Sequence, residues 1–161
     1  MEKFQALRDA AKKRLQIADH MLTMTYPFVQ DPKLLVAVLE NVFLSLTNAM
    51  NSVLHYERTF KRVPLFQETF ASRMSLFKEK CIERYDIDEE YLRLMEEIRS
   101  IIIEHKKSPV EFSRKDKFVI CSRDYQMKAI SLDIIKSYIF KTKNFVNIAE
   151  EITSKNESIF R

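Results

Sequence analysis

Glycine is missing from all 161 residues of this chain, where average usage of roughly 7% would supply about eleven. Glycine lets a backbone take positive φ or press against a phosphate. Its absence removes the Walker P-loop, the dinucleotide-binding fingerprint, the G-x-S-x-G elbow and the EF-hand loop, each of which needs it for a mechanical reason. Tight type I′ and II′ hairpins are disfavoured too, although Asn or Asp can replace glycine there. What remains is a chain of helices, ended by prolines and polar caps.

Apolar positions at helical spacing mark five helical segments. The first runs from near Glu2 to Tyr26, with Phe4, Leu7, Ala11, Leu15, Ala18 and Leu22 in register. Pro27 should stop it, because the residue before a proline resists the α region. Asp31 and Pro32 supply a cap and a first-turn proline for a second helix reaching about Arg62. The third spans roughly Gln67 to Tyr85, with Phe70, Met74, Phe77 and Cys81 inward. Asp88 then caps a fourth, buried along Tyr91, Leu94, Met95, Ile98, Ile101 and Ile102 and ending near Lys107 before Pro109.

Between Ser108 and Ile130 the helical period is lost, and Lys117-Phe118-Val119-Ile120-Cys121 alternates as a strand does. Connections of this length are uncommon in small domains and are usually functional. Ser131 caps a fifth helix reaching about Glu157. Short connections favour antiparallel neighbours. The expected fold is therefore all-α, an up-and-down bundle of four to five helices in a single domain over residues 1–161, with no sizeable sheet.

Net charge is +4, compatible with an RNA or nucleotide partner but not demanding one. Cys81 and Cys121 are widely separated and form no CxxC, so both are read as reduced. The start, Met1-Glu2-Lys3-Phe4, has no signal-peptide apolar run, and no uncharged stretch reads as a membrane span. The expectation is a cytoplasmic protein without a membrane partner.

One helix face is anomalous. Asn41, Ser45, Asn48, Ser52 and His55 lie within about 40° of one line on the second helix. Their surroundings are strongly apolar, and a solvated face would use Lys and Glu instead. Small uncharged polar residues suit a close, hydrogen-bonded helix contact, a symmetric dimer seam, or the floor of a groove. An ordinary exposed face is the bland alternative. His20, His55 and His105 each stand alone on a different helix, and neither Glu-x-x-His nor HExxH occurs. No metal and no cofactor are expected. His20, beside Lys13 and Gln16 on its helix, should be exposed.

The fourth helix closes with Arg99-Ser100-Ile101-Ile102-Ile103-Glu104-His105. A basic connector follows, carrying Lys106, Lys107, Arg114, Lys115 and Lys117, then the last helix. This layout, within Glu89 to Ile152, resembles the HEPN domain, an all-helical bundle with an Arg-x4-6-His signature often bearing a polar residue after the arginine. The resemblance implies a homodimer with Arg99 and His105 around a shared cleft. In active members the histidine assists proton transfer and the arginine stabilises phosphate during metal-independent RNA cleavage; other members partner small nucleotidyltransferases. The connector's basic residues would contact phosphates. The leading expectation is a helical binding module, homodimeric through the polar stripe and associated with RNA or nucleotide metabolism. The alternatives are a ribonuclease and a purely structural adaptor.

Overall fold

A computed structural model of the chain describes residues 1–107, 111–114, 117–121 and 127–156. Helix α1 (Lys3–His20) does not end before Pro27. It widens into a π-helical turn, Met21–Thr25, in which the Tyr26 N–H reaches back to the Met21 carbonyl, and continues as the short α2 (Tyr26–Val29). The proline falls at the start of α2, directly after the wider π turn.

Helix α3 (Pro32–Thr59) begins as expected, with the Asp31 carboxylate accepting from the Lys33 N–H at 3.0 Å. Helix α4 is shorter than expected, Phe70–Lys80, capped by the Thr69 hydroxyl. A wide turn follows, in which the Ile82 N–H bonds the Phe77 carbonyl. Helix α5 (Glu90–Lys107) is capped by Asp88 and α6 (Leu132–Ser154) by Ser131, both as expected. Between α5 and α6, strands β1 (Glu111–Arg114), β2 (Lys117–Cys121) and β3 (Met127–Ser131) form an antiparallel meander. The alternating run noted in the sequence is its central strand, with Phe118 opposite Ile130.

Three residues take the left-handed backbone that glycine favours: Gln30 (φ 51°), which ends α2, and two more at helix ends. Lys61 (φ 58°) and Asp86 (φ 51°) are left-handed, and each closes a Schellman motif. At the end of α3, the Arg62 N–H bonds the Glu57 carbonyl and the Lys61 N–H bonds that of Arg58. After α4, the Ile87 N–H bonds the Ile82 carbonyl and the Asp86 N–H bonds that of Glu83. The second motif has apolar residues, Ile82 and Ile87, at the two positions that usually meet. The first has an ion pair there instead, Arg62 to Glu57 at 3.3 Å.

Cross-helix contacts set the directions. Phe4 meets Tyr56 (5.3 Å between ring centres) and Ser45 meets Ala11, so α1 and α3 are antiparallel. Lys143 meets Asp19 and Arg8 meets Thr153, which makes α6 antiparallel to α1. Tyr91 lies on Phe145 while Tyr138 bonds Glu97, so α5 opposes α6. The four long rods α1, α3, α5 and α6 thus run up, down, up and down, with α4 packed beside them through Phe70 on Phe43 and Phe77 on Phe145. Among the described residues the fold is an all-α bundle of five helices, counting α1 and its continuation α2 as one, with only a small sheet.

Helix α3 is the central rod. Leu35, Val38, Leu39, Val42, Leu46, Met50 and Leu54 are fully enclosed, as befits a helix that is apolar almost all round. Among the described residues, Pro32–Thr59 is one helix long and apolar enough to cross a membrane by length and composition. Here that apolarity is spent inside the bundle, where 61% of its most apolar window is buried.

Candidate functional site

The polar stripe of α3 lies mostly inside the chain. Ser45, wholly buried, donates to the Ala11 carbonyl at 2.7 Å, so the stripe faces α1. Ser52, also wholly buried, bonds back to Ala49 at 2.6 Å. Asn41 is half-buried; its amide donates to Ala37 and its oxygen accepts from Arg14 at 3.3 Å. Asn48 is half-buried. Ser45 and Asn41 thus make hydrogen bonds across to α1, while Ser52 bonds within its own helix. Ser45 and Ser52 are wholly enclosed within the single chain.

His55 ends the stripe in a charged cluster. Its ring is buried, with Nε2 2.9 Å from a Glu68 carboxylate oxygen and its plane tilted against Phe66. Glu68 also meets Arg73, Lys3 at 3.6 Å and the Asn51 amide. Burial lowers the imidazole's proton affinity, outweighing the pull of the carboxylate. Burial acts to raise Glu68 as well, but hydrogen bonds from Arg73 and His55 override it and hold the acid below its ordinary range. At neutral pH the ring is uncharged and donates from Nε2. One glutamate therefore pins the segment between α3 and α4 onto α1, α3 and α4 together.

A second cluster surrounds Glu57, whose side chain is 1% exposed. Arg62 and Arg84 flank it at 3.3 and 3.4 Å, and the Tyr85 hydroxyl donates to it. Burial, then the hydrogen bond and charge of Glu57, push the Tyr85 phenol well up. Nearby Cys81 is free and fully enclosed, its thiol pushed up to about 12 by burial and then by Glu57. Such a thiol is a packing group, not a nucleophile.

The HEPN-type pair is not assembled within the chain. Arg99 is exposed, with its guanidinium carbon 5.0 Å over the Phe70 ring. His105 is half-buried near the end of the same helix. Six residues apart on a regular helix, the two side chains diverge by about 120°. Lys106 is exposed. Arg114 falls on β1, Lys117 on β2 and Lys107 at the end of α5, while Lys115 lies outside the described residues. His20 is exposed, as expected. Among the described residues, no group of three or more His, Cys, Asp or Glu is placed to hold a metal ion.

Two surface features had no place in the sequence reading. The tip formed by the π turn and α2 exposes Met24 (56%), Phe28 (87%) and Val29 (57%). The outer face of α6 exposes Phe140 (65%). The period that exposes Phe140 was legible, since it falls opposite the stripe of Ile135, Ile139 and Val146. Phe28 was not, because its place depends on the helix continuing past Pro27.

Comparison with known proteins leaves the class at all-helical bundle: no family model, no curated protein and no solved structure matches the chain.

Proposed function

We propose that this chain is a non-catalytic helical binding module that self-associates through the apolar tip of α2. The observation that carries this reading is the exposure of Met24, Phe28 and Val29, close in sequence on the helical tip formed by the π turn and α2. Soluble monomers seldom leave a contiguous apolar knob in water, and such patches mark interaction sites. A two-fold axis through the tip would set each Phe28 against its counterpart, the self-complementary arrangement of a cyclic dimer.

The interior clusters support a binding rather than a catalytic role. Glu57 is enclosed by two arginines and a tyrosine, and Glu68, on the surface, is paired with histidine, arginine and lysine, so both carboxylates tie helices together. A HEPN-like affiliation and a link to RNA metabolism fit the helical architecture and remain part of the proposal. A ribonuclease would need Arg99 and His105 drawn together by a second chain, with Arg99 released from Phe70. The adaptor reading shares the fold but lacks a nucleic-acid partner.

Light scattering on the purified protein tests self-association. The expected mass is twice the 19.2 kDa of one chain, falling to a single chain in Phe28→Asp with unchanged circular dichroism. A wild-type monomer at high micromolar concentration, or a dimer indifferent to Phe28→Asp, overturns the reading.

A further inference from the structure

We propose that the outward face of α6 binds single-stranded nucleic acid, with Phe140 stacking on a base and Lys136, Lys141 and Lys143 meeting phosphates. This goes beyond the self-association reading and rests on a different surface.

The placement follows from helix geometry. Relative to Phe140, Lys136 is four residues earlier, Lys143 three later and Asn144 four later, all within about 60° of it around the axis. Asn147 is seven residues on, nearly in line. All four are exposed, and Lys141 lies half-buried farther round. The core-facing side is occupied by Ile135, Tyr138, Ile139, Phe145 and Val146, so packing does not require an aromatic at 140. The Phe140 ring meets no other ring and no cation among the described residues.

Charge then selects the partner. From Lys136 to Asn147 the sequence holds three lysines and no acid; Asp133 and Glu150 bound the stretch. Lys136 and Lys141 make no ion pair among the described residues, and Lys143 makes a half-exposed one with Asp19 at 3.7 Å. Pairs of that kind are weak and exchange readily for a phosphate. A flat exposed ring, flanking amides and backbone-neutralising lysines together match the needs of an unpaired strand, whose bases offer π-faces and whose phosphates track a basic surface. A membrane-binding face would carry several large apolar groups along its length; here Phe140 is flanked by lysine and asparagine.

The test is fluorescence anisotropy of wild-type protein with a labelled oligouridylate of about 12 nucleotides, titrated from about 50 to 200 mM salt. Binding should weaken with salt, with a logarithmic slope of about −1.4 to −2.1 for two or three phosphate contacts. Phe140→Ala should weaken binding roughly fivefold or more, and Phe140→Trp should retain it. Lys136→Glu should weaken binding and flatten the slope, whereas Lys78→Glu on α4 should do neither. Thermal melts confirm that each variant is folded, and the same samples give the oligomeric state, so loss of self-association is scored separately. The proposal is overturned by absent binding at low salt, by equal affinity in Phe140→Ala, by tighter binding to duplex, or by Phe140-dependent binding to phosphatidylserine vesicles without oligouridylate binding.

Discussion

The Ser45 hydroxyl donates to the Ala11 carbonyl across 2.7 Å, and the two helices that carry these residues meet at small side chains. Ala11, Ala18 and Ser45 are all essentially without exposed surface, which lets α1 and α3 approach closely. Ser45→Ala should destabilise the fold by about 1 kcal/mol through the lost bond. Ser45→Leu should cost roughly 1–3 kcal/mol by overpacking the same contact. Chemical denaturation of the two variants checks the order; equal stability of Ser45→Leu and wild type would contradict a tight seam.

A chain with no glycine holds left-handed backbone at Lys61 and Asp86, and that conformation carries a steric cost of roughly 1–2 kcal/mol for an ordinary residue. Lys61→Gly and Asp86→Gly should each stabilise the protein by about 0.5–1 kcal/mol, seen as a raised denaturation midpoint. A lowered midpoint in both would show that the glycine-free turns are not strained.

The Glu57 cluster ties the end of α3 to the turn before α5. Tyr85→Phe removes one charged hydrogen bond and should cost about 1.5–3 kcal/mol, while leaving the arginine pairs in place. Glu57→Leu removes the partner of Arg62, Arg84 and Tyr85 at once and should cost more. Urea midpoints rank the two, and a Glu57→Leu protein as stable as Tyr85→Phe would mean the arginines contribute little there.

Stability should fall on acidification. His55 binds its proton less readily folded than unfolded, so its contribution is complete above the ordinary value of 6.5 and declines as pH drops below it. Glu68, held below its ordinary 4.5, adds stability that is lost at still lower pH. Denaturation midpoints between about pH 7.5 and 4 should show both declines, and His55→Gln should abolish the first. A wild-type midpoint flat down to pH 5 would contradict the buried neutral ring.

Helix number, most caps and the buried stripes were legible because they rest on local signals: the 3.6-residue period and the residues Asp31, Asp88 and Ser131. The passage of the first helix through Pro27 was not, since a π turn directly before a proline has no local signature. Nor were the Schellman closures, where lysine and aspartate stand in for glycine. The stripe of α3 was visible as an anomaly, but whether it faced α1, a second copy or a ligand depends on tertiary placement. Arg99 and His105 show the opposite limit: a spacing legible in sequence whose two side chains diverge once the helix is built.

Hydrogen exchange on the Phe28→Asp monomer tests the central claim most directly, because it separates contacts within a chain from contacts between copies. The account predicts that amides around Ser45 and Ser52 stay as protected as in wild type, while those around Tyr26 to Val29 exchange faster. Loss of protection along α3 on monomerisation would contradict it and return the polar stripe to the interface between chains.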